Sequence, residues 1–174
     1  MTMTPGERSD MSTADLTIVR IDLADDGHVR ALIDLLDEYA RGHTGTGHGL
    51  PDDVIRRLPA ALAERPWFIG WLAVADGRPA GVVTCFEGLS TFRAQPLLNI
   101  HDIAVSAPYR RRGIGAALLQ QVEQEARLRG CCKITLEVLS NNGAAIAAYR
   151  QAGFKPYGLN PKMGSALFFE KKFY

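Results

Sequence analysis

The stretch that decides the fold is Asn99–Leu119, which reads NIHDIAVSAPYRRRGIGAALL. An apolar run from Leu97 to Val105 ends at the turn-forming Ser106-Ala107-Pro108, and helical spacing of apolar residues begins at Ile114. This order predicts a strand, a turn and then a helix with arginines and glycines at its start.

The start of this predicted helix has the composition of an anion site. The first backbone N–H groups of a helix have no acceptor within the helix and, with the helix dipole, attract phosphate. Gly113 and Gly115 lack a Cβ, so a bulky anion can approach the amides. Arg110, Arg111 and Arg112 add positive charge in a geometry suited to phosphate oxygens. A diphosphate is the ligand that this arrangement favours.

Two other phosphate-binding turns fit this stretch less well. A Rossmann turn needs a third small residue at a fixed spacing and lies near the start of its domain. A P-loop places Lys and Ser or Thr directly after its last glycine, where this chain has Ala116 and Ala117. The remaining alternative is an exposed basic turn that opens an ordinary amphipathic helix.

The spacing Arg-x-x-Gly-x-Gly at Arg110, Gly113 and Gly115, after the strand residues 103–105, resembles the acyl-CoA signature of the GNAT superfamily of N-acetyltransferases. A second stretch, 136–154, resembles the other GNAT signature. It has a strand, an asparagine, a helix of small residues with a tyrosine, and then Gly-Phe. The two matches follow in the expected order.

Fold class α/β follows from the order of elements and from the resemblance. We expect one GNAT-like domain over 15–174 after a disordered leader, 1–14. Its mixed central sheet should have about six to seven strands, be splayed between two parallel strands, and be flanked by about four helices. The predicted strands are Leu16–Ile21, Trp67–Ala75, Pro79–Phe86, Leu97–Val105, Lys133–Leu139 and Ala166–Phe173, and the predicted helices are Asp25 or Asp26–Tyr39, Pro51–Glu64, Ile114–Arg129 and Gly143–Gln151.

The resemblance implies acetyl-CoA as co-substrate. Where the central parallel strands splay, backbone groups are free to pair with pantetheine as an added strand would, and the helix start should bind the diphosphate. The implied cofactor-binding residues are Ile103, Ala104, Val105, Arg110, Arg111, Arg112, Gly113, Ile114, Gly115, Ala116, Asn142 and Tyr149.

The resemblance also implies catalytic roles. An amide N–H near Val105 would stabilise the oxyanion, and Tyr149 would protonate the departing thiolate. Tyr149 has an alternative role as an ordinary packing aromatic. His101 is the candidate base, since imidazole changes charge near neutral pH. A structural, hydrogen-bonded histidine is the alternative. Asp102, its neighbour, is expected on the opposite sheet face.

Composition limits the partners. Lys+Arg number 20 and Asp+Glu number 19, so the balanced charge gives no global reason to expect nucleic acid or a membrane surface. No apolar run is long enough to cross a bilayer and no signal peptide is visible, which favours the cytoplasm. Cys85, Cys131 and Cys132 suggest neither a disulfide framework nor a metal site, so buried thiols are expected.

The sequence therefore predicts an N-acetyltransferase that moves an acetyl group from acetyl-CoA to a primary amine by direct attack in a ternary complex. A small or polyamine-like acceptor is expected, because the strand 101–105 and the tail 167–172 weakly resemble the polyamine-acetyltransferase-like branch. The alternative is a non-catalytic acyl-CoA-binding sensor module. The glycine-rich loop 41–49 is either a lid over the acceptor or a plain connection. The resemblance also implies that a homodimer is possible, because homodimers are common in this superfamily.

Overall fold

The computed structural model describes residues 16–158, 162 and 167–173. The elements are β1 (Leu16–Arg20), α1 (Asp26–Arg41), α2 (Asp52–Ala63), β2 (Phe68–Ala75), β3 (Arg78–Ser90), β4 (Gln95–Val105), α3 (Ile114–Leu128), β5 (Ile134–Leu136) and α4 (Gly143–Gln151). A short 3₁₀ turn, Ala107–Tyr109, joins β4 to α3. The predicted α/β class with four helices is confirmed.

The sheet has the order β1-β2-β3-β4-β5, with antiparallel pairing up to β4 and a parallel β4–β5 pair. Asp76 and Gly77 make the two-residue turn between β2 and β3, and both have positive φ, 54° and 71°, as hairpin turns of this length require. The predicted strands Pro79–Phe86 and Leu97–Val105 leave residues 87–96 as a connection. They instead extend β3 and β4 into a second hairpin, because Glu87–Ser90 pairs with Gln95–Leu98.

Five strands are present among the described residues, fewer than the six to seven expected. The predicted last strand, Ala166–Phe173, is not formed, since 167–173 has no regular secondary structure and Ala166 lies outside the described residues. A strand needs a neighbour to pair with its backbone, and β5 offers three residues. The leader 1–14 lies outside the described residues.

Hydrophobic clusters cover both faces of the sheet. Leu118 and Val122 of α3 pack with Ile69, Val83 and Cys85 on one face. On the other face, α1 and α2 pack against the sheet through a cluster that contains Leu32, Leu36, Leu62, Leu72 and Val82. No helix in the described part of the chain has the length and apolar character needed to cross a membrane.

The β4–β5 pair separates soon after it forms. It comprises Leu98–Ile100 against Ile134–Leu136, whereas β4 continues to Val105 beside β3. Among the described residues, the last five of β4 therefore have a strand neighbour only on the β3 side, and the side toward β5 opens as a wedge. This is the predicted splay between the two central parallel strands.

An ion-pair network fastens α3 to the sheet. Glu125, whose side chain is 12% exposed, accepts from Arg129 at 2.6 Å and from Arg20 of β1 at 3.2 Å, and Arg129 also pairs with Glu87 of β3 at 2.8 Å. Burial raises the pKa of Glu125, but the hydrogen bonds from Arg129 and Arg20 outweigh it and leave the pKa below its ordinary value.

We expect Glu125→Gln to lower the free energy of unfolding by about 1.5–3 kcal/mol, the usual range for a hydrogen bond to a charged group. Because the folded-state pKa is lowered, this contribution is present at neutral pH and is lost as the pH falls through that pKa. Urea unfolding at pH 7 and pH 3 measures both effects. Glu64→Gln, on an exposed side chain, is the control. Equal stability of wild type and Glu125→Gln at pH 7 would contradict the prediction.

Candidate functional site

The turn into α3 forms a cradle of backbone amides, which we call the α3 cradle (Arg111–Ala116). Gly113 is the N-cap with φ 78°, and Arg111 also has positive φ, 63°. The first helical bond runs from the Ala117 N–H to the Gly113 carbonyl, so the amides of residues 114–116 precede the hydrogen-bonded ladder. A Cβ at Gly113 would meet nothing within 4 Å, and one at Gly115 would meet only Val105 Cγ2 at 3.9 Å. The space above the amides is open.

The three arginines beside the α3 cradle have different surroundings. Arg112 binds Asp76 with two hydrogen bonds of 3.0 and 3.3 Å and lies over the Tyr109 ring. Arg110 donates from Nε to the Val105 carbonyl at 3.1 Å. Arg111 is exposed and has no hydrogen-bond or ionic partner in the described part of the chain. Of the three predicted phosphate ligands, Arg111 is therefore the one whose guanidinium is uncommitted.

The wedge beside β4 exposes particular backbone groups. The Ser106 N–H donates to Ala80 of β3 at 2.9 Å, and in an antiparallel pair alternate residues direct their backbone groups to opposite sides. Ala104, paired with Val82, thus faces β3, whereas Ile103 and Val105 face the wedge. Since Arg110 occupies the Val105 carbonyl, the Val105 N–H is the group left for a ligand. The prediction that residues 103–105 all offer free backbone groups is therefore correct for Ile103 and Val105 but wrong for Ala104, whose backbone groups face β3.

Asn142 and Tyr149 lie on α4 with distinct roles. Asn142 is the N-cap, and its side chain accepts from the Ala145 N–H at 3.2 Å, which explains an asparagine at this place in the motif. The Tyr149 ring packs against Phe154 with centroids 6.0 Å apart. Burial, with a smaller contribution from Tyr39, raises the pKa of Tyr149. The phenol therefore keeps its proton throughout the neutral range.

His101 and Asp102 lie on the same face of the sheet, which corrects the expectation that they point to opposite faces. The pairing register skips at this point, because Cys85 pairs with Ile100 and Thr84 pairs with Asp102. His101 is thus the extra residue of a β-bulge. Its ring makes an edge contact with Phe86 at 5.5 Å, and Phe86 packs with the α1–α2 cluster. Asp102 bonds to Thr84, two residues from Phe86 and so on that same face.

Sequence reasoning missed Thr84, Asp102 and Tyr39 as site residues. Thr84 is 2% exposed, and its hydroxyl donates to Asp102 Oδ2 at 2.7 Å. Burial and the charge of Asp102 raise the pKa of Tyr39. One feature of the sequence could have indicated this pair. Thr84 is a hydroxyl residue within the apolar run 80–86, and a buried hydroxyl needs a hydrogen-bond partner.

The loop predicted as a lid begins directly after α1. Gly42 and Leu50 hydrogen-bond back to α1, through the Tyr39 carbonyl at 3.0 Å and the Asp37 carboxylate at 2.7 Å. These two contacts fix both ends of the loop beside Tyr39. Its role as a lid stays a prediction.

The expectation of buried thiols holds for Cys85, whereas Cys131 and Cys132 are only partly buried. Burial raises the pKa of Cys85 to about 12, so the reactive thiolate is absent at neutral pH. Burial also raises the pKa of Cys131. Within the described residues, no three His, Cys, Asp or Glu side chains lie close enough together to hold a metal ion.

Comparison with known proteins agrees with this geometry. A family model described as "Acetyltransferase (GNAT) family" matches residues 31–154. The streptothricin acetyltransferase of Streptomyces lavendulae is 40% identical over 86 residues, which are 49% of this chain and 43% of that protein. The [ribosomal protein bS18]-alanine N-acetyltransferase of Escherichia coli K12 is 44% identical over 56 residues, 32% of this chain and 38% of that protein. The chain spans less than half the length of the curated relatives it matches.

Solved structures show the same fold. An aminoglycoside acetyltransferase from an uncultured soil metagenomic sample, in complex with trehalose, superposes with a TM-score of 0.72 at 20% identity over 92% of this chain and 99% of the other. A probable acetyltransferase gives a TM-score of 0.73 at 22% identity over 90% and 99% of the two chains.

Proposed function

The chain belongs to the GNAT acetyltransferase family, and from this premise we propose that it transfers an acetyl group from acetyl-CoA to a primary amine by direct attack in a ternary complex. The observation that carries the proposal is the open α3 cradle at the end of a strand whose outer edge is unpaired. The α3 cradle would bind the diphosphate, and the unpaired edge of β4 would bind the extended thioester arm. The two binding places adjoin on one surface.

The residues of the cradle and wedge account for binding. The amides of Ile114, Gly115 and Ala116 would donate to the diphosphate, with the Arg111 guanidinium beside them. Ile103 and Val105 would pair with the amide groups of the pantetheine arm along the edge of β4. Arg110 and Arg112 hold the turn in place through Val105 and Asp76.

The proposed reaction joins the amine nitrogen to the thioester carbonyl carbon and breaks the carbon–sulfur bond. The Val105 N–H stabilises the oxyanion that forms on the carbonyl oxygen. Tyr149 gives its proton to the departing thiolate, so that free CoA leaves as a thiol. His101 takes one proton from the acceptor ammonium, directly or through water, so that the attacking nitrogen has a lone pair. As the tetrahedral intermediate collapses to the amide, the nitrogen loses a second proton, which restores the Tyr149 phenol.

The acceptor class is proposed as a small primary amine, of which a polyamine-like molecule is one case. Two relatives are named for acetylating streptothricin and the alanine of a ribosomal protein, and both names fit acetylation of amino groups. A homodimer and a cytoplasmic location remain predictions from the sequence.

A thiol-release assay with acetyl-CoA and a panel of primary amines tests the function. We expect amine-dependent release of CoA above the hydrolysis background, together with an acetylated amine in the mass spectrum. Acetyl-CoA binding without release for any amine would overturn the proposal in favour of the sensor module.

We expect His101→Gln to lower kcat for amine acetylation by about 10²-fold or more, the usual contribution of a general base. The affinity for acetyl-CoA should be unchanged. The His101 side chain lies on the sheet face covered by α1 and α2, whereas the proposed CoA contacts are the backbone groups of the α3 cradle and of the β4 edge. His28→Gln is the matched control, since His28 on the first turn of α1 accepts a hydrogen bond from the Asp22 backbone that a glutamine oxygen can replace. An unchanged kcat would leave His101 as a packing partner of Phe86.

A further inference from the structure

We propose that Asp102, held in place by Thr84, forms a subsite that binds a positive charge on the acceptor remote from the reacting nitrogen. This inference rests on the proposed function and names the class of amine that it prefers. The preferred acceptors are amines with a second cationic group.

Thr84 holds the Asp102 carboxylate in one orientation. The Thr84 hydroxyl donates to Oδ2 at 2.7 Å and accepts from the Asp102 N–H at 3.1 Å. A hydroxyl has one proton to give, so Oδ1 has no donor within the described residues. Thr84 is 2% exposed, so Oδ2 is held by a buried hydroxyl. Among the described residues no buried side-chain oxygen lacks a partner, which means that Oδ1 is accessible and can accept from a ligand.

Asp102 is unusual among the partly buried carboxylates. Glu125, Asp37 and Glu87, with side chains 12%, 23% and 32% exposed, each bind an arginine. Asp102 is also partly buried, yet it forms no ion pair with any described residue. Of these four carboxylates, Asp102 is therefore the one left available to a cation that the acceptor brings, and a partly buried carboxylate binds a cation more strongly than a fully solvated one.

Tyr39 lies on the side of the sheet that carries Asp102. It is near the C-terminal end of α1, and α1 packs against β3 and β4. Burial, together with the charge of Asp102, raises the pKa of the Tyr39 phenol. The face of a phenol ring attracts an ammonium group, so we expect Tyr39 to contribute to the acceptor side of the subsite.

The spacing along β4 sets the distance between the two ends of the acceptor. Asp102 precedes Val105 by three residues, which corresponds to about 10 Å of strand. An acceptor whose reacting nitrogen lies near the Val105 N–H would reach Asp102 with a second ammonium several bonds away. Short monoamines cannot reach both positions.

The test measures kcat and KM for n-hexylamine and 1,6-diaminohexane with wild type and Asp102→Asn. We expect Asp102→Asn to lower kcat/KM for the diamine by about tenfold to a hundredfold, mainly by raising KM, as for loss of a hydrogen bond to a charged group. The kcat/KM for n-hexylamine should change by less than about threefold, because this amine has no second ammonium group to lose its contact with Asp102. Asp34→Asn, an exposed carboxylate of α1, should leave both unchanged.

Variants of Thr84 separate positioning from charge. Thr84→Val removes the hydroxyl and should raise KM for the diamine while the KM for hexylamine stays constant, and Thr84→Ser should restore the wild-type value. Equal losses for both amines in Asp102→Asn would overturn the proposal, because Asp102 would then act on the reacting amine or on the fold.

Calorimetry distinguishes failure of this inference from failure of the proposed function. If wild type acetylates no amine, the proposed function is wrong, and binding of the diamine still tests the subsite. Wild type that binds 1,6-diaminohexane more tightly than Asp102→Asn supports the subsite, and equal binding by the two proteins overturns it.

Discussion

Gly115→Val is expected to weaken CoA binding by about tenfold to a hundredfold with little loss of folding stability. The substituted Cβ would lie 3.9 Å from Val105 Cγ2, so the protein has room for it. The branched side chain would stand over the amides of the α3 cradle and keep a diphosphate from them. Loss of one or more hydrogen bonds to a charged group gives an effect of this size.

Isothermal titration with CoA, paired with thermal unfolding, measures this effect. Gly113 is a poorer probe, because its φ of 78° would strain any other residue there. Gly88→Val is the matched control: it lies in the exposed part of β3, where a Cβ would meet Leu97 at an ordinary 3.5 Å. Unchanged CoA affinity in Gly115→Val would contradict the cradle.

Tyr149→Phe is expected to lower kcat by about 10²-fold or more, the usual contribution of a general acid. The ring and its contact with Phe154 remain, so KM for acetyl-CoA and the melting temperature should hardly change. Because burial raises the pKa of Tyr149, the acid stays protonated above the ordinary range of a phenol. The kcat of wild type should therefore persist on the alkaline side and fall only at higher pH.

Steady-state kinetics with the best acceptor checks the prediction. Tyr157→Phe is the control, since Tyr157 is 57% exposed and contacts Lys133 through its ring, which phenylalanine retains. A kcat for Tyr149→Phe equal to wild type would remove Tyr149 as the acid and leave it as a packing aromatic.

Features that depend on local chemistry could be predicted from the sequence. The helix predicted to begin at Asp25 or Asp26 is capped by Asp25, which accepts from the amides of Gly27 and His28. The predicted strands Trp67–Ala75 and Pro79–Phe86 are joined by the short turn at Asp76 and Gly77. Each depends on residues within a few positions of one another. The strand, turn and helix around Asn99–Leu119 formed as predicted for the same reason.

Features that depend on distant residues could not be predicted. Arg112 binds Asp76, 36 positions away, and nothing near Arg112 in the sequence indicates that partner. The face of Asp102 was predicted wrongly because simple alternation was assumed. The bulge becomes visible only when β4 is aligned with β3. The extension of β3 and β4 into residues 87–96 likewise depends on the pairing of the two strands with each other.

His101 is supernumerary in the β3–β4 ladder. With that one residue deleted, Ile100 would still lie opposite Cys85 and the following aspartate opposite Thr84, as they do now. The chain can therefore gain or lose an imidazole here without re-registering either strand. The candidate base is therefore an insertion that the pairing of β3 and β4 does not require, whereas Asp102 occupies a regular paired position opposite Thr84.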